Sequence, residues 1–248
     1  MKHSHQLLLA LAALVAALVM FFWPRNSTAA TAQQGSGAPQ RTADEFEQRC
    51  EKLMQPRIRV SASAPSYVLK TNLSTRVLST RSTYASGSHS VMGMTASRTM
   101  ADISIDGPAL LDPAGGRECL APRIDVLLSF EPLDVYVARE FSQHSCAYRE
   151  VLKHEMEHVK IYTDELARIE RLVQDELERR YGGRPLYANP GRAIDTLQTQ
   201  LNAWLDPLIR SEMAKVEVLQ ARLDTAEETD KLSHACLGEV AYMMGSSF

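Results

Sequence analysis

Two histidines four residues apart, with a glutamate directly after the first, are the residues of this sequence best suited to chemistry. Residues 154–158 read H-E-M-E-H. On a helix, His154 and His158 lie on one face one turn apart, so both imidazoles can reach a single tetrahedral metal ion. Glu155 lies beside them and can take a proton from a water whose pKa a zinc ion has lowered toward neutrality. The H-E-x-x-H pattern therefore predicts zinc as the cofactor and Glu155 as a catalytic base.

The helical position of Glu155 supports this interpretation. At about 100° per residue, Glu155 lies in the middle of an apolar stripe rather than among the charged residues of the helix. A carboxylate in such a position needs a partner, because an unpaired buried charge is strongly unfavourable. The stripe is formed by Leu152, Val159, Tyr162 and Leu166.

Two histidines and a water leave one protein ligand of a tetrahedral zinc ion unassigned. The residues that follow His158 lack the glycine and third histidine of the extended metzincin pattern. Glu212 is the predicted third ligand, because it lies at the centre of the apolar stripe of a second predicted helix. If Glu212 instead bonds a core histidine or Arg210, the next candidates are Asp224 and His234.

The fold predicted around these residues is α+β and zincin-like, in one domain over residues 46–248. Its first half, residues 57–141, contains short alternating or β-branched runs separated by Gly, Pro and Ser, which is typical of strands. The stretch 79–100 has weak periodicity and is interpreted as a loop over a cleft. This half is expected to pack on a long helical hairpin.

The helical half spans residues 145–230. Apolar residues recur at helical spacing from 145 to 181, with Ser145 as N-cap and a Gly-Gly stop at 182–183. The same pattern returns from 193 to about 223 and predicts a second long helix, packed antiparallel to the first. A turn near residues 182–192 would bring residues 212–220 level with the two histidines.

The amino terminus has the layout of an export signal. Residues 1–32 contain a positive start, an apolar run from 7 to 23 and a small-residue site that ends A-T-A, which predicts a signal peptide or, if uncleaved, an N-terminal anchor. Residues 33–45 are interpreted as a flexible linker. We therefore expect the strand-rich half and the helical half to function in the periplasm or after secretion.

Four cysteines follow the leader, and an even number in an oxidising compartment predicts two disulfides. Three pairings are open to the sequence. The preferred one joins Cys119 to Cys146, linking a strand region to the start of the first long helix, and Cys50 to Cys236, linking the two ends.

The composition limits the class of partner. The chain is 45% hydrophobic and 23% charged, as in ordinary globular proteins, and its formal net charge is −3. It lacks the broad basic surface that binding to nucleic-acid phosphates requires. The expected partner is a peptide or protein substrate, without nucleic acid and without membrane contact beyond the leader or anchor.

Beyond the motif, the chain resembles a bacterial family of unknown function that comprises predicted secreted zinc-dependent proteases. The resemblance covers roughly residues 50–240 and is carried by Cys119, C-A-Y-R-E at 146–150, H-E-M-E-H-V at 154–159 and Q-A-R-L-D-T at 220–225. It implies a periplasmic or secreted protein in which a downstream Glu completes the zinc site, as in gluzincins. Many members end in Y-D and T-H-G signatures, where this chain has L-D-T at 223–225 and S-H-A-C at 233–236.

The leading hypothesis is thus an exported zinc metallopeptidase that hydrolyses peptide bonds. The alternative is a non-catalytic envelope binding or assembly protein that keeps a structural or vestigial zinc site. A third interpretation is a metal-free helical module with a chance motif, for which chelation would leave thermal stability unchanged.

Overall fold

The computed structural model describes residues 40–63, 66–82 and 90–245. The predicted leader, residues 1–32, and the first part of the predicted linker lie outside the described residues. A helix begins at Gln40 and includes the rest of the predicted linker, residues 40–45. The prediction of a flexible segment was therefore wrong for these residues. Among the described residues, none of the helices has the length and apolar character needed to cross a membrane.

The described elements follow one another in a strand-rich half and a helical half. The first half contains α1 (Gln40–Leu53), β1 (Arg57–Ala62), β2 (Tyr67–Lys70), α2 (Thr75–Arg81), β3 (Gly93–Ala96), β4 (Thr99–Asp106), β5 (Ala109–Leu111), β6 (Glu118–Leu120), β7 (Arg123–Phe130) and β8 (Leu133–Val137). The second contains α3 (Cys146–Leu177), a π-helical turn (Glu178–Gly182), β9 (Leu186–Ala188), α4 (Ala193–Leu223), α5 (Ala226–Ser233), a 3-10 turn (Cys236–Gly238) and α6 (Glu239–Gly245).

Two three-stranded sheets are built from the same three stretches of chain, β1–β2, β3–β4 and β7–β8, each of which contributes one strand to each sheet. The first sheet has the order β1-β7-β4 and the second the order β2-β8-β3. In each, the middle strand pairs with a parallel neighbour on one side and an antiparallel neighbour on the other. The predicted loop at 79–100 is therefore partly wrong, since it contains β3, whose short run of Gly, Met, Thr and Ala carries little strand signal.

The helical hairpin covers the first sheet. Buried side chains of β7, α3 and α4 form one apolar core, which includes Val126, Ile169 and Leu201. The bounds of both long helices agree closely with the sequence prediction, and Ser145 caps α3 by accepting a hydrogen bond from the backbone N–H of Tyr148. The mixed α/β class with a long hairpin is thus confirmed.

Side chains of α3 also bond the outer strand of this sheet. The backbone N–H of Val60 donates to Gln174 Oε1 at 2.8 Å, and that of Ala62 donates to Glu170 Oε1 at 3.2 Å. These bonds satisfy donors on the side of β1 that faces away from β7 and would otherwise be unpaired. These hydrogen bonds fix the position of α3 along β1.

The two disulfides are Cys50–Cys119 and Cys146–Cys236, so the predicted pairing of Cys119 with Cys146 and of Cys50 with Cys236 was wrong. β6, which contains Cys119, pairs with β5 and β9 in a third sheet and lies against α1 instead of leading to α3. The 3-10 turn brings Cys236 to the first residue of α3. Two disulfides indicate that the chain matures in an oxidising, extracytoplasmic compartment.

The Cys50–Cys119 disulfide should contribute strongly to stability, because it closes a loop across 69 residues of sequence. We expect Cys50→Ser with Cys119→Ser to lower the free energy of unfolding by about 2–4 kcal/mol in urea denaturation under oxidising conditions. Peptide mapping without reductant is the control. A fragment in which Cys119 is joined to Cys146 would contradict this pairing.

Candidate metal centre

The candidate metal centre lies where the first turns of α3 face the end of α4. His154 and His158 project from successive turns of α3, and Asp224, the C-cap residue of α4, meets them from the other helix. Asp224 Oδ1 is 3.2 Å from His154 Nε2 and 3.0 Å from His158 Nε2, and the two Nε2 atoms are 3.3 Å apart. These three residues form a group with the composition of a metal site.

The spacing of the three ligand atoms fits zinc. With zinc–ligand bonds of about 2.0–2.1 Å, the ligand atoms of a tetrahedral site lie about 3.3 Å from one another. The observed separations are 3.0–3.3 Å. Two imidazoles and one carboxylate also match the ligands that catalytic zinc sites use, and three protein ligands leave one position for water or substrate.

The contacts among His154, His158 and Asp224 shift the pKa values of Asp224 and His158. Burial by itself would raise the pKa of Asp224, but the hydrogen bonds with His154 and His158 hold it well below its usual range. Burial would lower the pKa of His158, but its bond with Asp224 and the nearby charge of Glu155 raise it. Protons therefore compete with a metal ion for the same nitrogen atoms.

Glu155 points into a cradle formed by β3. Its carboxylate accepts a hydrogen bond from Thr95 Oγ1 at 2.8 Å, and only 3% of the residue is exposed. Gly93 leaves the space for it, since a Cβ atom at that position would lie 2.4 Å from Glu155 Oε1. The buried position predicted for Glu155 is thus confirmed, with β3 as its surroundings.

This burial sets the protonation of Glu155. Loss of solvent raises the pKa of Glu155 to about 7, and the nearby histidines and the Thr95 hydroxyl oppose the rise. A pKa near neutrality lets a carboxyl group both accept and donate a proton at physiological pH.

These groups share one cavity of about 420 Å³. It is lined by the three candidate ligands, by Glu155, by all of β3 and by parts of α4 and α5. β3 lies at the edge of its sheet, and within the described chain its only strand partner is β8. The cavity is therefore bounded on one side by the backbone of an edge strand.

The structure does not place Glu212 at this centre. Glu212 is buried, as predicted, but its carboxylate pairs with Arg168 at 2.9 Å and with Lys215. Arg168 lies about 15 Å beyond His158 along α3, given a rise of 1.5 Å per residue. An apolar stripe identifies a buried acid, but it does not say which residue of the facing helix will neutralise it.

The register of the hairpin accounts for this error. His154 contacts Asp224, and His158 contacts Gln220. Both pairs are centred in sequence on Asn189, which is slightly later in the chain than the middle of the predicted turn at 182–192. Because the helices are antiparallel, that shift brings residues 220–224 level with the histidines. Asp224, one of the two reserve candidates, is therefore the third member of the cluster.

The other reserve candidate, His234, lies apart from the cluster. Its side chain is exposed, and its Nδ1 contacts the backbone carbonyl of Asp230 and the hydroxyl of Ser233.

Three residues of the centre were not predicted: Gly93, Thr95 and Gln220. Only Gln220 left a signal in the sequence, since it precedes Asp224 by one helical turn.

Comparisons with protein-family models, with curated proteins and with solved structures give no match to this chain.

Glu155→Gln should stabilise the metal-free protein at neutral and alkaline pH. The pKa of Glu155 is about 7 when folded and near 4.5 when unfolded, so the folded protein holds a proton that the unfolded chain releases, and wild-type stability falls as the pH rises between these values. The neutral amide has no such loss. We expect the variant to unfold with a free energy higher by on the order of 3 kcal/mol at pH 8 and by little below pH 4.

Urea denaturation of chelator-treated protein across this pH range measures the difference. The control is Glu157→Gln, an exposed position on the same helix, which should change the free energy of unfolding by less than about 0.5 kcal/mol. Equal stability of wild type and Glu155→Gln at pH 8 would contradict the assigned burial of a titrating carboxyl.

Proposed function

We propose that this protein is an exported zinc-dependent peptidase. The observation that carries the proposal is the group formed by His154, His158 and Asp224, whose ligand atoms have the mutual spacing of a tetrahedral zinc site. A buried glutamate next to the first histidine and a cavity that reaches both support hydrolysis rather than a purely structural metal.

The chemistry that zinc supplies when bound is Lewis acidity, which lowers the pKa of a water and polarises a peptide carbonyl. Glu155 takes the proton from the attacking water, as its pKa near neutrality allows. The water oxygen forms a bond to the carbonyl carbon, the carbon–nitrogen bond breaks, and Glu155 delivers the proton to the leaving amine. The hydroxyl of Thr95 holds the carboxylate in place through both transfers.

The edge strand β3 supports a peptide as the substrate. An extended peptide can add to the unpaired side of an edge strand and use its backbone hydrogen-bonding groups. β3 lines the cavity along its whole length and carries the two residues that cradle Glu155. A substrate strand bound there would pass its carbonyl groups close to the catalytic base.

Export to the periplasm or secretion is the setting that fits this activity. The two disulfides indicate an oxidising compartment. The leader predicted at residues 1–32, cleaved or kept as an anchor, would deliver the chain there. The bacterial family of predicted secreted zinc-dependent proteases is the class that this proposal implies.

Zinc content is the direct test of the ligands. The wild-type protein should retain about one zinc ion per chain after dialysis at neutral pH, measured by mass spectrometry of the metal, as a single tetrahedral site requires. His154→Ala and Asp224→Ala should lose it, because each removes one of three protein ligands. Glu212→Gln is the matched control and should retain zinc, since that buried acid pairs with Arg168. Absence of zinc from the wild type would overturn the proposal, and its loss in Glu212→Gln alone would return the third ligand to Glu212.

Catalysis is tested separately by Glu155→Gln. This change should leave zinc content unchanged and lower the rate of cleavage of a fluorogenic peptide mixture by about 10²- to 10⁴-fold, the contribution typical of a general base. In cells, the variant should share the phenotype of a deletion. A variant that matches wild type where deletion has an effect would identify a non-catalytic binding or assembly function instead.

A further inference from the structure

Gln220 contacts the candidate ligand His158 at two points. It is 3% exposed and lies on α4 one turn before Asp224, so both side chains project toward α3. Gln220 Oε1 is 2.6 Å from His158 Nδ1, and Gln220 Nε2 donates to the backbone carbonyl of His158 at 3.2 Å. The amide is thus held against the ring and against the backbone of the same residue.

These two contacts determine which ring nitrogen carries hydrogen. A backbone carbonyl only accepts hydrogen bonds, so the amide nitrogen of Gln220 must face it, and the amide oxygen must then face Nδ1. The oxygen also only accepts, so Nδ1 of His158 must be the donor. In the neutral imidazole, Nε2 is then left with a free lone pair. Nε2 is the atom directed at His154 and Asp224.

Asp224 acts in the opposite direction. Its carboxylate lies 3.0 Å from His158 Nε2 and would by itself favour a hydrogen on that nitrogen, which would block metal binding there. With the hydrogen of His158 held on Nδ1, the Nε2–H of His154 can satisfy the same carboxylate oxygen at 3.2 Å. When His158 is protonated, both ring nitrogens donate and Asp224 accepts from Nε2. When His158 is neutral with its hydrogen on Nδ1, the lone pair of Nε2 faces this oxygen at 3.0 Å, a repulsion that a cation bound between the two atoms would relieve.

We propose that Gln220 is a positioning residue that keeps His158 in the Nδ1–H tautomer and so presents Nε2 to the metal. This inference rests on the proposed function, because it takes zinc as the ion bound. Groups of this kind behind a histidine ligand commonly change metal affinity by about 10- to 100-fold. Gln220 is not one of the three candidate ligands, and its effect on the metal passes through the orientation and tautomer of His158.

The first measurement is zinc affinity, determined by competition with a chelator. Gln220→Met, of similar size but without an acceptor for Nδ1–H, should bind zinc about 10- to 100-fold more weakly than wild type. Gln220→Glu keeps an acceptor and should bind more tightly than Gln220→Met. The control is Gln200→Met, an exposed glutamine on the same helix, with wild-type affinity. Wild-type affinity in Gln220→Met would overturn the proposal.

The second measurement is the tautomer of His158 in the metal-free protein, from long-range nitrogen–proton NMR correlations at a pH where both imidazoles are neutral. Wild type should show the Nδ1–H form, and Gln220→Met should shift toward Nε2–H. An Nε2–H form in the wild type would overturn the proposal. Because no zinc is present, this result is independent of the metal, whereas a wild-type protein that binds no zinc would overturn the proposed function.

Discussion

Apolar side chains of α3 and α4 pack against each other and against the first sheet, and this packing holds the two helices in one register. The contacts of Asp224 and Gln220 with the two histidines depend on that register, because each joins a residue of α3 to the carboxyl-terminal end of α4. With α4 moved by one turn, Asp224 would no longer lie level with His154 and His158, and Gln220 would face a different residue. The hydrogen bonds that Gln174 and Glu170 accept from the backbone of β1 fix α3 against the sheet.

The ends of the hairpin are also constrained. The Cys146–Cys236 disulfide joins the first residue of α3 to the turn that follows α5, and Glu239 accepts a hydrogen bond from the backbone N–H of Ala147. Asp224 lies between α4 and α5, so the segment that carries it is held from both directions. A metal site whose ligands are positioned before binding loses less entropy on binding.

Burial of Glu155 illustrates how stability and chemistry oppose each other here. A carboxylate enclosed by Gly93, Thr95 and α3 is poorly solvated, which raises its pKa and reduces the stability of the folded chain above that pKa. The same shift gives it a pKa at which it can accept and return a proton at neutral pH.

The sequence by itself determined the local features of this protein. Helical spacing placed His154 and His158 on one face, the apolar stripe marked Glu155 and Glu212 as buried, and Ser145 marked the start of α3. These depend on periodicity and capping, which act over a few residues.

Only the tertiary structure decided which distant residues meet. Glu212 was neutralised by Arg168, Asp224 joined the histidines, β3 supplied Gly93 and Thr95, and Cys50 met Cys119. Each of these contacts depends on the register of one element against another. A shift of about one helical turn exchanges the partners without changing the local pattern from which the sequence prediction was made.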